Sequence, residues 1–199
     1  GQTWKAMINV FDNTTNTIAN TSELLILNTQ PAFDGGYPNI NSTDGTNLTT
    51  KNLIVTFKAN DTDVNDILSY DITWYTNNQT NFTLRNIAYT NGTLAIETLI
   101  SKNLTKGQTW KAMINLSDIG GSNNFANTSE LLILNTAPRF EVNPIMNSTN
   151  ALNQTNTSLN VFFTPTEDDV NDNLNYSIQA YKNNITNFTL INIQTTNGT

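Results

Sequence analysis

Gly1-Gln2-Thr3-Trp4-Lys5-Ala6-Met7-Ile8-Asn9 returns unchanged at residues 107–115, which gives the chain an internal period of 106 residues. A unit of that length is too long for a solenoid or propeller blade and suits a domain with its own core. Within the nonapeptide, Trp4, Ala6 and Ile8 alternate with Lys5 and Met7, the period-two signature of a half-buried strand. The 199 residues hold just under two copies.

The strand that opens at Trp4 extends to Val10, the polar stretch from Asp12 to Asn20 reads as a loop, and Glu23-Leu24-Leu25-Ile26-Leu27 reads as a second strand. Asn28-Thr29-Gln30-Pro31 ends it. From Pro31 a whole unit can be laid out. Ala32-Phe33 with Tyr37-Pro38 suits an irregular edge strand, because proline cannot donate to a ladder. Leu53, Val55, Phe57 and Ala59 form one alternating strand, and Leu68, Tyr70, Ile72 and Trp74 form the next, beyond the acidic turn Asp61-Thr-Asp-Val-Asn-Asp66. Phe82 to Tyr89 is a fourth, and Asn91-Gly92 closes a tight hairpin into Leu94 to Ile100, since both residues tolerate positive φ. Residues 110–116 and 130–134 complete seven strands with no helical periodicity. The expected class is all-β, built of tandem seven-stranded Greek-key sandwiches. The expected core includes Phe57, Tyr70, Ile72, Trp74, Phe82, Trp110, Ala112 and Ile114.

The same reading divides the chain. Residues 1–30 carry the last two strands of one repeat, residues 31–137 a complete repeat, and residues 138–199 the first four strands of another. Pro138-Arg139-Phe140 answers Pro31-Ala32-Phe33, and Glu167-Asp-Asp-Val-Asn-Asp172 answers the acidic turn. Counterparts of residues 94–106 would then separate the end of one copy from the start of the next, a gap that 13 extended residues span if it is no more than about 45 Å.

The stretch from Ile67 to Asn78, together with Lys106-Gly107-Gln108-Thr109-Trp110-Lys111-Ala112-Met113-Ile114, Asp118 and Asn135-Thr136-Ala137-Pro138, resembles the tandem immunoglobulin-like and cadherin-like repeats of archaeal and bacterial surface proteins. The resemblance covers the whole chain. It implies immunoglobulin-like sandwiches in an extracellular stalk, filament, sheath or adhesin, with no catalytic residue. Asp61-Thr-Asp63 and Asp169-Val-Asn-Asp-Asn173 are also similar to the acidic loop and calcium linker of cadherins. In cadherins that linker precedes the Pro-X-Phe opening the next domain. Here Asn28-Thr29-Gln30-Pro31 and Asn135-Thr136-Ala137-Pro138 hold that place without a carboxylate.

Composition narrows the function classes. The chain has no Cys and no His, so thiol nucleophiles, disulfides, ordinary zinc sites and the commonest neutral-pH general base are absent. Lys+Arg 9 against Asp+Glu 16 gives net charge -7, which repels nucleic acid and anionic lipid. No apolar run has the length to span a bilayer, so no membrane insertion is expected of this segment. Paired carboxylates for glycoside cleavage have nothing fixing their separation. The expectation is a non-enzyme.

Asparagine is the unusual residue, with 36 in the chain and 18 Asn-X-Ser/Thr sequons, about twice the number that random placement supplies. Where the copies have drifted, Asn47-Leu-Thr became Asn153-Gln-Thr and Asn78-Gln-Thr became Asn184-Ile-Thr, each keeping acceptor and hydroxyl. The reading is N-linked glycosylation at the pairs Asn20 and Asn127, Asn41 and Asn147, Asn47 and Asn153, Asn78 and Asn184, Asn81 and Asn187, Asn91 and Asn197. An Asn/Thr-rich coding bias is the bland alternative.

Other candidates are each weighed against a structural role. Asp61, Asp63 and Asp66, like Glu167, Asp168, Asp169 and Asp172, cluster the hard oxygens that Ca²⁺ prefers, against the alternative of a solvated turn. Calcium is the one candidate cofactor. Trp4, Trp74 and Trp110 lie on the apolar phase of their strands, which favours core packing over a sugar platform. Lys5 and Lys111 lie on the opposite phase and read as solvent-exposed, the alternative being a Lys–Asn amide crosslink. The whole points to a repeat of an extracellular filament or surface stalk, whose partners are identical subunits or adjacent repeats, head to tail. A carbohydrate-binding or adhesive module is the second class.

Overall fold

The computed structural model describes residues 1–36, 38–63 and 66–195. Among them the chain is all-β, with no α-helix and a single 3₁₀ turn at Ser101–Asn103. The strands are β1 (Gln2–Trp4), β2 (Met7–Phe11), β3 (Asn16–Asn20), β4 (Leu24–Ile26), β5 (Ala32–Phe33), β6 (Asn39–Ser42), β7 (Leu53–Asn60), β8 (Leu68–Thr76), β9 (Gln79–Tyr89), β10 (Leu94–Leu99), β11 (Thr109–Asp118), β12 (Asn123–Asn127), β13 (Leu131–Leu132), β14 (Arg139–Ser148), β15 (Leu159–Thr166), β16 (Leu174–Lys182) and β17 (Ile185–Thr195).

They form several sheets. One runs β10-β7-β5 with β6 also on β7, and another runs β12-β11-β8-β9 with β13 also on β11. The pairs β1–β4, β2–β3, β14–β15 and β16–β17 are antiparallel ribbons. Asn77 and Asn78 turn β8 into β9 with φ of 49° and 65°, and Asn183 and Asn184 repeat the turn between β16 and β17 with φ of 53° and 65°. Two successive positive φ angles match the right-handed twist of a hairpin, and asparagine adopts them at low cost.

By contacts the chain resolves into two compact units. The first comprises residues 1–40, 55–97 and 111–129. Its core is drawn from alternate positions of β7, β8 and β11: Val55, Phe57 and Ala59; Tyr70, Ile72 and Trp74; Ala112, Ile114 and Leu116. Phe57 meets Tyr70 edge to face with centroids 4.9 Å apart and meets Phe33 at 5.9 Å. The second unit comprises residues 41–54, 98–110 and 130–199. Here Leu53, Leu99, Leu104, Trp110, Leu131 and Ile133 are buried, with Trp110 paired across the ladder to Leu131. Phe163 meets Tyr176 at 4.9 Å and Phe140 at 6.1 Å, the same aromatic arrangement one repeat later.

Several expectations are corrected. Among the described residues nine strands, β5 to β13, lie between residues 31 and 137 instead of seven. β6 and β12 were hidden by their Asn-rich sequences, which lack the apolar alternation that marks a strand. The loop expected from Asp12 to Asn20 contains β3, because Asp12 accepts the amides of Thr14 and Thr15 at 2.8 and 2.7 Å and so confines the turn to its first few residues. Tyr37, assigned to the first strand, lies outside the described residues. Seven of the eight expected core residues are buried, but Phe82 is only half-buried, and Leu84 on the same face is 43% exposed. β9 is the outer strand of its sheet, so its inward positions have a neighbour on one side only. Phe82 still stacks on Trp74, with centroids 6.4 Å apart.

The largest correction concerns the repeated nonapeptide. At residues 109–118 it lies in one continuous strand with strictly alternating burial, and Trp110 is 1% exposed. At residues 1–9 the same nonapeptide breaks at Lys5 and Ala6 between β1 and β2, and Trp4 is 62% exposed. Trp4 is therefore not a core residue in this chain. β1 has only β4 beside it and β2 only β3, whereas β11 is bordered by β8, β12 and β13. A two-stranded ribbon cannot bury a tryptophan.

Candidate cation sites at the repeat linkers

The acidic turns are not freely solvated. Asp61, Glu167 and Asp169 are buried, and each triad Asp61/Asp63/Asp66 and Glu167/Asp169/Asp172 brings one carboxylate oxygen per residue within 4.8 Å of the others. Both turns follow a long strand, β7 or β15, so period-two geometry sends residues i and i+2 to the same side. Asp168, one residue out of phase, is not in the second triad and instead pairs with Arg139.

Each turn is tied to the linker that precedes its sandwich strands. The amide of Thr29 donates to Asp63 Oδ2 at 2.5 Å. One repeat later the amide of Thr136 donates to Asp169 Oδ2 at 2.7 Å. The linker thus acquires the carboxylate that its own sequence lacks. Asn28 adds a second tie, donating from Nδ2 to Asp118 Oδ2 at 2.9 Å and to Ser122 Oγ at 3.0 Å. Gln30 donates to the carbonyl of Asn123, and Asn124 donates to that of Pro31 at 3.1 Å. Asp118 was noticed in the sequence only for its resemblance. Its position in the β11–β12 turn, answering Asp12 in the β2–β3 turn, is the signal that it is a turn-forming residue.

The two triads differ in charge balance. In the second, Asp172 takes the ammonium of Lys106, which also donates to Asn135 Oδ1 at 3.1 Å. Asp169 accepts from the hydroxyl of Thr49 as well as from Thr136. In the first, Asp61 Oδ1 accepts the amide of Asp63 at 2.9 Å, while Asp61 Oδ2 and Asp66 Oδ2 are buried without a partner. Burial and the neighbouring carboxylates Asp61, Asp118 and Asp63 push the Asp66 carboxyl above the ordinary range. Asp63 and Asp66 border a cavity of about 390 Å³ that Gly1, Gln2, Ile26, Leu27, Asn28 and Thr62 complete. Asp61 is not among the residues that line it, but its carboxylate oxygen lies within 4.8 Å of theirs, and the three together form a hard-oxygen donor set.

The sequon asparagines among the described residues are exposed, except Asn115, half-buried in β11, and Asn47, which is half-buried at φ 58° with its Oδ1 buried and unpartnered. Asn197 lies outside the described residues. The carboxamide of Asn91 is engaged on both sides: Oδ1 accepts the amide of Asp61 at 2.9 Å and Nδ2 donates to its carbonyl at 2.7 Å. The next amide, Gly92, donates to the carbonyl of Ala59 at 2.9 Å, and its φ of 74° needs a glycine. Asn78 accepts from the ammonium of Lys111 at 2.6 Å on the exposed surface, where water screens both groups. Lys5 pairs with Glu23 at 3.8 Å.

No family model, curated protein or solved structure matches this chain.

Proposed function

We propose that this chain is a non-enzymatic structural repeat of an extracellular filament or surface stalk, in which Greek-key, immunoglobulin-like sandwiches follow one another head to tail. The observation that carries the reading is the contrast between identical nonapeptides, one buried in β11 and the other exposed in β1 and β2. Residues 1–27 hold the sequence that elsewhere in the chain covers a core, and they present Trp4, Ile8, Val10 and Leu24 to solvent. At the other end β14 to β17 expose Val142, Ile145, Leu159 and Phe188. Exposed apolar residues in this number on paired strands support the reading of an interface.

The two ends are complementary by descent from one repeat. Phe140, Phe163 and Tyr176 reproduce the arrangement of Phe33, Phe57 and Tyr70, and together with Pro144, Val161 and Ile178 they border an apolar cavity of about 240 Å³. Strands from the start of one copy close the sandwich begun at the end of another, either between separate chains or along one continuous polypeptide. Such a heterologous contact propagates as a filament unless its rotation closes a ring. Glycans on the exposed sequons would blunt lateral strand pairing while leaving the ends free. The adhesive alternative draws less support, because Trp74 and Trp110 are buried, which leaves Trp4 as the one exposed tryptophan of the three candidates for a sugar platform.

Sedimentation velocity over a range of concentrations, followed by negative-stain microscopy, tests the reading. Concentration-dependent end-to-end oligomers that Trp4→Asp abolishes are the expected result. A folded monomer at all concentrations overturns it.

A further inference from the structure

Phe125 is 65% exposed in the middle of β12, while its neighbour Ala126 is buried and Asn127 is exposed again. Alternate residues of a strand share a face and lie roughly 6.5–7 Å apart, so the Phe125 ring and the Asn127 carboxamide stand side by side on the solvent face of the sheet. Asn127-Thr128-Ser129 is a sequon. Across the ladder Phe125 faces Asn115, and Asn127 faces Met113. β12 is the outer strand of its sheet, and Phe125 also borders a cavity of about 420 Å³ beside Ala32, Phe33 and Gly36, so the space next to the ring is open.

The strand that carries the ring is well tied. β12 pairs with β11 along its whole length, from Asn123 to Asn127. Asn124 donates to the carbonyl of Pro31 at 3.1 Å, and in the turn leading into β12 the Asp118 carboxylate accepts the Ser122 amide at 2.9 Å. A ring on a fixed strand loses little freedom when a ligand is laid on it. The first repeat supplies a comparison: Ile18-Ala19-Asn20 keeps the spacing and the equivalent cross-strand partners, Asn9 and Met7, but carries no ring.

We propose that Phe125 is a stacking platform for the first pyranose ring of a glycan carried on Asn127. This role rests on the reading of the chain as a glycosylated repeat, and within it marks one site where protein and sugar pack together. Transfer of the sugar takes an external transferase and an oligosaccharide activated as a lipid-linked diphosphate. The bond from the anomeric carbon to the phosphate oxygen breaks, and the diphosphate leaves with the electron pair. The anomeric carbon joins Asn127 Nδ2, which gives up one proton. The axial C–H groups on one face of the pyranose then meet the electron-rich face of the phenyl ring, and both apolar surfaces leave water. Asn115 is half-buried in the middle of the ladder and gives a transferase less access, so Asn127 is the acceptor of the two.

The test uses the full chain, secreted from a host that attaches glycans through N-acetylglucosamine and trimmed enzymatically to one N-acetylglucosamine per site. Glycopeptide mapping should find Asn127 occupied. Thermal unfolding is then compared in a cycle of Asn127→Gln and Phe125→Ile, the second matching the side chain of Ile18 in the other repeat. The sugar on Asn127 should raise Tm by about 2–6 °C with Phe125 present and by less than about 1 °C in Phe125→Ile, and Phe125→Trp should keep the full effect. Nuclear Overhauser contacts between the phenyl ring and the axial protons of the sugar are expected in the parent chain. Sugar on Asn81 with none on Asn127 overturns the platform and leaves the glycosylated repeat standing, whereas no sugar on any sequon overturns both. A Tm effect that is absent with Phe125, or that Phe125→Ile leaves unchanged, also overturns the platform; if that variant then self-associates less, the ring belongs to a contact with a second copy.

Discussion

The amide of Thr29 donates to the carboxylate of Asp63 at 2.5 Å across 34 residues of sequence. It fixes the linker before Pro31 against the turn after β7, and the Thr136–Asp169 bond repeats it. An exposed hydrogen bond of this kind is worth about 1 kcal/mol net. Asp63→Ala should therefore speed hydrogen exchange at the Thr29 amide by roughly five- to tenfold without loss of the fold, as measured by NMR. Unchanged protection at Thr29 would show that the linker is held by Asn28 and Gln30 alone.

Trp110→Ala and Trp4→Ala alter the same position of the same nonapeptide. The first removes a fully buried indole and should cost about 3–5 kcal/mol in urea unfolding. The second removes an exposed one and should change the stability of dilute chain by no more than about 0.5 kcal/mol. Its effect should instead appear as weakened self-association.

Two carboxylates make the fold sensitive to acid. Asp12 is held at about 2 by the amides and hydroxyls of Thr14 and Thr15. Asp44 is held at about 2 by the hydroxyl and amide of Thr46, with help from Lys51. Both lie below the ordinary value of 3.8, so the folded state binds these protons less readily than the unfolded state does. Their contribution to stability is complete above about pH 4 and is lost as pH falls toward 2. Asp44→Asn should flatten the stability profile in that window. Asp66 has the opposite sign: its raised value favours the folded state while protonated, and that contribution is lost as pH rises through it. In cation-free buffer at pH 7, Asp66→Asn should therefore raise Tm.

Glycopeptide mapping of native material should find sugar on exposed sequons such as Asn81 and Asn187. Little or none is expected on Asn91, whose Nδ2 is hydrogen-bonded to Asp61, or on half-buried Asn47. Unmodified asparagine at every sequon would remove glycosylation from the reading. Heavy occupancy at Asn91 would mean that the sugar is attached before the turn closes.

The sequence announced those strands whose two faces differ. β8 and β11 alternate apolar with polar residues and were found with nearly correct bounds, because one face packs and the other is wet. β3, β6 and β12 are short and rich in Asn, and their pairing is dictated by turns and neighbouring strands that no local pattern encodes. The acidic groups were visible as a cluster, but their partners were not. Thr29 and Lys106 reach Asp63 and Asp172 through the fold, from 34 and 66 residues away. Asp168 lies outside the group of Glu167, Asp169 and Asp172, as the period-two rule for the end of β15 implies.

The pairing of Asn91 with Asp61 has a bearing on how long the molecule lasts. An Asn-Gly step ages readily when the glycine nitrogen attacks the asparagine carbonyl carbon, closes a succinimide and reopens as aspartate or isoaspartate. Here the carboxamide is tied to Asp61 through both its oxygen and its nitrogen, and the Gly92 amide is committed to Ala59. The attacking and attacked groups are both pinned away from the ring-closing geometry. Spontaneous deamidation at Asn91 should then be governed by how often the β9–β10 turn opens, so peptide mapping of aged protein would use this one step as a clock for the loosening of the fold.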